Sequence, residues 1–230
     1  MKNISQEELK EILKEHEMWL KDEEGGERAD LRYADLSGAN LTGADLSNAD
    51  LTGADLRCVD LTYADLTSTN LSNTDLRYTN LKHAKLNDAN LINTDLSGAN
   101  LWNADLIGAN LIGIKTNTST IGYNLACPEK GVFTGYKKAD GCIIKLLILE
   151  DAKRSSATTF KCRCDKAKVL EIKDIDTGES MEKARSNYNP NFVYKVGEIV
   201  TVDDFDDDRW NECAPGVHFF MNKENALNYQ

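Results

Sequence analysis

The stretch ADLSGANLTGADLSNADLTGADL, residues 34–56, repeats one five-residue unit: a small residue, an Asp or Asn, a Leu and two variable residues. The Leu recurs at every fifth position from Leu31 to Leu111. A period of five matches neither the 3.6-residue period of an α-helix nor the two-residue period of a strand. Because neither element can hold all these leucines on one buried face, the backbone must turn a corner at every unit.

Four such units can close a square coil of twenty residues, with Leu and the small residue pointing inward. Successive coils would then stack through backbone hydrogen bonds at a spacing of roughly 4.8 Å. Each coil needs its neighbours to bury its ends, which explains the repetition. At twenty residues per coil, outward residues form straight columns. One column consists of aspartates alone: Asp35, Asp55, Asp75 and Asp95.

The pattern A-(D/N)-L-x-x over residues 29–115 closely resembles that of the pentapeptide-repeat family. The resemblance implies a right-handed quadrilateral β-helix of about four coils, a rod roughly 20 Å long at the strand spacing. Family members that protect gyrase from fluoroquinolone drugs are viewed as DNA mimics, since a row of carboxylates resembles a duplex phosphate backbone. The resemblance thus makes the column of Asp35, Asp55, Asp75 and Asp95 a candidate partner-binding surface. In the alternative interpretation, each Asp is a corner residue that hydrogen-bonds locally.

The formal net charge of −11 is concentrated in the first half of the chain. Lys and Arg against Asp and Glu number five to nine in residues 1–28, six to eleven in residues 29–115 and sixteen to eighteen in residues 116–230, giving −4, −5 and −2. Nucleic acid phosphates repel acidic segments of this kind. The sequence therefore predicts a protein partner that is basic or binds nucleic acid, and no direct binding of DNA or RNA.

The apolar runs, the N-terminal segment and the cysteines bear on localisation and metal binding. No apolar run has membrane-spanning length, and MKNISQEELK lacks the basic start and apolar core of a secretory signal. We therefore expect a cytoplasmic protein without membrane contact, whose six cysteines stay reduced. Cys162 and Cys164 could begin a zinc tetrahedron completed by Cys142, Cys213 or His218. Zinc sites usually contain two close pairs of ligands, and this sequence has one, Cys162 and Cys164. We therefore expect these residues to be buried thiols, and we predict neither a metal nor a cofactor.

Both ends of the rod need cover, because an open β-helix presents bare backbone edges. Within residues 5–22, Ser5 and Glu8 match a capping box and apolar residues recur at helical spacing, so residues 1–28 are predicted to be an N-terminal capping helix and turn. At the other end, apolar side chains occupy outward positions, which indicates an interface with the second domain or, alternatively, with a second copy in a homodimer. These residues are Ile92, Trp102, Ile107 and Ile112.

Residues 116–230 lose the five-residue order. Apolar runs such as CIIKLLIL predict strands and NKENALNY predicts a terminal helix, which together indicate an α+β domain. Nearly all of this half strongly resembles an uncharacterised domain that often follows pentapeptide repeats in bacteria and their viruses, and this resemblance implies no activity. GVHFFMNKENALNY also loosely resembles a strand and helix of ADP-ribosyltransferases. His218 stands where those enzymes place a nicotinamide-stacking Tyr, and no catalytic Glu can be assigned.

The second domain also contains a candidate phosphate or nucleotide site. Lys153, Arg154, Ser155 and Ser156, together with His218, carry the side chains that hold phosphate groups. Taken together, the sequence predicts a non-enzymatic protein-interaction module, an acidic DNA-mimic-like inhibitor of a nucleic-acid-handling protein in conflict between bacterium and bacteriophage. The alternative is a nucleotide-binding or degenerate ADP-ribosyltransferase-like domain carried on a structural rod.

Overall fold

The computed structural model describes residues 2–123, 126–211 and 213–229. The chain forms two compact units, Met1–Asn124 and Leu125–Gln230. Among the described residues, no helix combines the length and the apolar character that crossing a membrane requires.

The first unit begins with a short strand and a helix. Strand β1 (Lys2–Asn3) pairs in parallel with strand β2 (Ala34–Asp35), and helix α1 spans Gln6–Leu20 between them. The predicted capping box is present, because the Glu8 amide donates to Ser5 Oγ (3.2 Å) and the Ser5 amide donates to the Glu8 carboxylate (2.8 Å). Two of the backbone amides that lack an intrahelical partner at this helix end are thereby satisfied.

His16 connects helix α1 to the repeats. Its ring is fully buried, its Nδ1 accepts from the Ala29 amide (3.2 Å) and its Nε2 lies 3.0 Å from the Ser47 carbonyl oxygen. Since Nδ1 is an acceptor, the proton of the neutral ring resides on Nε2 and is donated to Ser47. Burial lowers the pKa of His16, which favours this neutral form. The histidine therefore serves as a packed connector.

The repeats form a β-helix-like coil in which residues twenty positions apart lie side by side. The Leu36 amide donates to the Asp55 carbonyl (2.9 Å) and the Asp55 amide donates to the Ala34 carbonyl (2.9 Å), and this pattern recurs along the rod. The corners need a left-handed backbone. Every residue two positions after a repeat leucine, from Tyr33 to Gly113, has φ between 56° and 75°. None of these residues is β-branched, as steric crowding in this region requires.

The inside of the coil is filled by the repeat leucines, which are buried from Leu31 to Leu106. Where Thr replaces the small residue, its hydroxyl is also buried and donates to a leucine carbonyl 23 residues earlier. For example, Thr79 Oγ1 bonds to Leu56 O at 2.6 Å. The core therefore accepts a hydroxyl without leaving it unpaired. The other threonines that do this are Thr69, Thr74 and Thr94.

The second unit is built on an antiparallel sheet. Its strands in chain order are β3 (Phe133–Ala139), β4 (Cys142–Ile148), β5 (Arg154–Ser156), β6 (Lys161–Cys164), β7 (Lys166–Asp174), β8 (Lys183–Arg185), β9 (Val193–Lys195), β10 (Ile199–Thr201) and β11 (Val217–Phe220). Helix α2 (Lys223–Asn228) follows. Within the described residues, seven strands pair in the order β10-β7-β4-β3-β11-β6-β5, while β8 and β9 form a separate hairpin.

The sheet buries apolar residues on both faces. One face carries the larger core, which includes Leu146, Val169 and Phe219. On the other face Ile143 and Phe220 pack with Ala226 of α2. Strand β4 coincides with the apolar run CIIKLLIL, whereas the short strands β5 (RSS) and β8 (KAR) lie outside the apolar runs of the sequence.

Candidate functional site

The four aspartates of the predicted column lie one above another on successive coils. Backbone bridges join Asp35 to Asp55, Asp55 to Asp75 and Asp75 to Asp95, and the column continues to Lys115. The register of twenty residues inferred from the sequence therefore holds in this column. We call these four residues the aspartate column.

Each carboxylate of the aspartate column first serves its own corner. Oδ1 of Asp35 accepts from the Ser37 amide at 3.1 Å, and Oδ1 of Asp95 accepts from the Ser97 amide at 3.0 Å. Hydrogen bonding to the Ser37 hydroxyl and amide lowers the pKa of Asp35. An Asp that bonds the amide two residues on is a common turn device. This geometry matches the alternative interpretation of the aspartates as local corner residues.

Two arginines neutralise the middle of the aspartate column. The guanidinium of Arg57 bonds to both carboxylate oxygens of Asp55, and Arg77 does the same with Asp75 (2.6 Å from Nη2 to Oδ2). Asp55 is only 1% exposed, and its bond to Arg57 lowers the pKa of its carboxyl. The four carboxylates, the two guanidiniums and Lys115, to which the column continues, leave a formal charge of −1 along this face.

A second column carries Asp45, Asp65, Lys85 and Asp105, joined by the same kind of bridge. Lys85 Nζ lies 2.8 Å from the Asp65 carboxylate, one coil below it. Asp45 is exposed and Asp105 is half-buried. This column is therefore also acidic overall, and it offers a matched surface against which to test the first.

The predicted apolar interface is distributed around the end of the rod. Ile92 and Ile112 share one column on consecutive coils, whereas Trp102 and Ile107 lie in two other columns. Ile112 is 70% exposed and Ile107 is exposed, while Ile92 and Trp102 are half-buried. The structure therefore brings together only Ile92 and Ile112 on one face.

The residues of the predicted phosphate site have separate partners. Lys153 Nζ pairs with the Asp207 carboxylate at 3.1 Å. Arg154 lies over the Phe133 ring, with 5.3 Å between guanidinium carbon and centroid. Its guanidinium donates to backbone carbonyls, a role that holds neighbouring loops in place. The acceptors are Pro128, Gly131, Leu149, Glu150 and Ala152.

The two serines of that site lie on strand β5 and point differently. Ser156 Oγ accepts from the Ala126 amide at 2.8 Å, whereas the Ser155 hydroxyl is buried and finds no hydrogen-bond partner among the residues that the structure describes. The register places Ser155 opposite Arg163, and Arg163 opposite His218. His218 therefore shares a sheet face with Ser155 but is separated from it by the intervening strand.

A cavity of about 710 Å³ lies beside His218. Two lysines line it, Lys137 on β3 and Lys161 on β6, which are 9% and 7% exposed. Tyrosine rings border both: Lys137 Nζ is 5.8 Å from the Tyr194 centroid, and Lys161 Nζ is 3.3 Å from Tyr229 Oη. The cavity therefore combines two buried ammonium groups with aromatic walls, and Asp203 and Asp204 also line it.

Lys137 shows why sequence reasoning missed this cavity. In the run FTGYKKA the lysine occupies an ordinary strand position, and the alternation alone gives no sign that it is buried. Strands β3 and β11 are joined at the register pair Tyr136 and Phe220. Over the residues that the structure describes, the ladder between these two strands does not include Lys137. The local sequence therefore carries no signal that marks Lys137 as a cavity residue.

The cysteines do not gather into a metal site among the described residues, in which no group of three His, Cys, Asp or Glu could hold a metal ion. Cys162 and Cys164 are fully buried on β6, and Cys142 is buried on β4. Burial raises the pKa of Cys164, which disfavours the thiolate that a metal needs. Cys213 is exposed.

Two family models match the chain. Residues 27–57, 54–91 and 84–115 match the model described as "Pentapeptide repeats (8 copies)". Residues 123–226 match the model described as "Family of unknown function (DUF5758)". No curated protein matches the sequence.

Several solved structures of pentapeptide repeat proteins are similar to the repeats. Rfr23 from the cyanobacterium Cyanothece 51142 is 41% identical over 40% of this chain and 62% of its own, with a TM-score of 0.39. HetL from Nostoc sp. strain PCC 7120, involved in heterocyst differentiation regulation, is 39% identical over 38% of this chain and 45% of its own, with a TM-score of 0.33. The chain thus spans less than two thirds of either protein. A further protein from Nostoc PCC 7120, alr5209, is 31% identical over 45% of this chain and 93% of its own, with a TM-score of 0.24.

Proposed function

Since the chain belongs to the pentapeptide-repeat family and carries a domain of unknown function after its repeats, we propose that it is a protein-interaction module. The rod formed by the repeats binds a partner that is basic, or that has a basic nucleic-acid-binding surface. No catalytic step is assigned to the rod, whose polar side chains are engaged in the corners and between coils.

The aspartate column is the single observation that supports this proposal most. Its carboxylates recur once per coil, on bridges that connect Asp35 to Asp95 in register. Residues 1–28 and 29–115 contribute −4 and −5 to the net charge, so acidic character extends beyond the column. A regular row of negative charge attracts a regular row of Lys or Arg, and long-range attraction raises the rate of association.

Arg57 and Arg77 define how the partner would engage this surface. In the free protein they occupy the carboxylates of Asp55 and Asp75. Both arginines are exposed or half-buried at the rod surface, so a partner's cations would meet the outer carboxylates at Asp35 and Asp95 first. We propose that binding occupies a nucleic-acid groove of the partner and so inhibits it, as a DNA mimic does, in conflict between a bacterium and a bacteriophage.

The architecture in which this surface is displayed is part of the proposal. We propose a right-handed winding of the rod, with residues 1–28 as a cap, residues 29–115 as the repeat domain and residues 116–230 as an α+β domain. The cap is supported by His16, which bonds to Ala29 and Ser47 of the first coils. The protein is proposed to work in the cytoplasm, and Ile112 belongs to the surface proposed for association of the rod with the second domain or a second copy.

The test uses three variants of the full chain as bait in a nuclease-treated bacterial lysate. One variant changes the four residues of the aspartate column to Asn. A second, Arg57→Gln with Arg77→Gln, removes the neutralising cations. The control changes Asp45, Asp65 and Asp105 to Asn, a similar charge change on another column.

We expect the first variant to lose the captured basic protein, the second to retain it at higher salt, and the control to bind it nearly as wild type does. Circular dichroism establishes that each bait is folded. Retention of the same proteins by the folded first variant overturns the aspartate column as the recognition surface. Capture of no nucleic-acid-handling protein by wild type overturns the proposed partner class.

A further inference from the structure

Two lysines of the second unit are deeply buried. Lys137 and Lys161 are 9% and 7% exposed, whereas lysines are almost never buried so deeply unless they are paired. Among the residues that the structure describes, neither ammonium has a carboxylate within 4.0 Å. Lys161 Nζ lies 3.3 Å from Tyr229 Oη and 5.5 Å from the centroid of the same ring, and Lys137 Nζ lies 5.8 Å from the Tyr194 centroid.

Both lysines face the same empty space. They line the cavity of about 710 Å³ and also an adjoining recess of about 160 Å³, together with His218, Tyr188 and Tyr229 in each case. Burial, and after it the nearby Lys161, lower the pKa of Lys137. An arrangement that holds like charges together without a partner costs stability and calls for an anion.

The remaining charged groups leave this role to the two lysines. The guanidinium of Arg163 donates to the backbone carbonyls of Asp206, Asp208 and Pro215, which hold it in place. His218 does not supply a positive charge near neutral pH, because burial lowers its pKa to about 4. Its Nε2 lies 3.1 Å from Ala214 O. The ammonium groups of Lys137 and Lys161 are therefore the positive charges that face the cavity.

The other residues that line the cavity have different chemistry. Tyr188, Phe192 and Tyr194 supply aromatic walls, and the carboxylates of Asp203 and Asp204 are exposed at its margin. Aromatic rings bind the flat face of a nucleobase, and carboxylates accept hydrogen bonds from sugar hydroxyls or exocyclic amines. A volume of this size lies in the range of small-molecule sites.

We propose that this cavity binds a nucleoside phosphate, with Lys137 and Lys161 holding the phosphate and the aromatic walls holding the base. The site is distinct from the acidic rod, and no step of the protein-interaction proposal depends on it. It also differs from the basic segment at Lys153 and Arg154, whose side chains are engaged elsewhere.

The experiment is calorimetric titration of the full chain with AMP, GMP, CMP and UMP, and with adenosine and inorganic phosphate as partial ligands. We expect at least one nucleotide to bind with a Kd below about 1 mM and at least about tenfold more tightly than either partial ligand. Lys137→Met and Lys161→Met should each weaken binding about tenfold or more. Lys168→Met, an exposed position on β7, is the matched control and should bind as wild type does.

A second measurement on the wild type guards against variants that fail to fold. In nitrogen-resolved NMR of the lysine side chains, the signals of Lys137 and Lys161 should shift saturably with the nucleotide, while that of Lys168 should not. Absence of binding by all four nucleotides, shifts that avoid both buried lysines, or equal affinity for inorganic phosphate would each overturn the proposal.

Discussion

Nε of Arg57 lies 3.7 Å from the carboxylate of Asp75 on the next coil, while the same guanidinium bonds to Asp55 on its own coil. The arginine therefore joins two layers of the rod through charge as well as through the backbone. Asp55 is buried beneath this contact and Asp35, at the start of the same column, is not. Members of one repeated position can thus have different energetic roles.

Asp55→Asn should destabilise the rod more than Asp35→Asn. The buried carboxylate of Asp55 holds a charge-assisted pair with Arg57, and removing its charge should cost about 1–2 kcal/mol of unfolding free energy. The measurement is denaturant unfolding followed by circular dichroism. Equal losses for the two variants would show that the Arg57 contact adds nothing to the corner hydrogen bond.

The stability of the rod should fall on acidification partly through Asp55. Its pKa is lowered in the folded state by Arg57, so its contribution is present above the unfolded pKa of about 3.9 and is lost as pH falls through the folded value. Wild type and Asp55→Asn should therefore converge in unfolding free energy as pH falls below about 3.9. A constant difference down to the lowest accessible pH would contradict this.

Thr79→Val should destabilise the rod by about 1 kcal/mol, because the variant cannot donate to Leu56 O and keeps nearly the same volume. Val59→Thr, one coil earlier in the same column, is the reciprocal change. Its new hydroxyl should find the equivalent carbonyl and leave the thermal midpoint nearly unchanged. A large loss from Val59→Thr would mean that the threonine ladder depends on the particular coil.

Ser68→Thr should destabilise the rod by about 1 kcal/mol or more, since Ser68 has φ of +56° and β-branched residues are strained there. Ser72→Thr is the control. It occupies the position directly after a repeat leucine, where Thr42, Thr52 and Thr62 already occur. Comparable midpoints for the two variants would contradict a steric cause.

Lys137→Met should raise the unfolding free energy of the second unit near neutral pH, by on the order of 1–3 kcal/mol. Burial lowers the pKa of Lys137 from 10.5 to about 8, so the folded state binds the proton less tightly than the unfolded state does. The resulting penalty is full below about pH 8 and disappears as pH rises to 10.5. As pH rises through that window, the stability of wild type in thermal melts should therefore increase relative to that of the variant. A variant that is less stable than wild type at pH 7 would contradict the account.

How far the sequence predicts this protein differs between its two units. In the rod each residue contacts residues about twenty positions away in a constant register, so one rule places every side chain. The leucine period therefore sufficed to predict the coil, and Ser5 with Glu8 sufficed to predict the start of α1. The sequence could not show that Asp55 becomes buried beneath its pair with Arg57.

The second unit shows what only the tertiary structure decides. Some of its strands were visible as apolar runs, but their order depends on pairing between distant segments, such as β11 with β6. That pairing brings His218 and Lys161 into one cavity with Lys137, and it leaves Arg154 among backbone carbonyls. A local sequence pattern records which residues alternate along a strand. It does not record which strands become neighbours, because that choice minimises the free energy of the whole core.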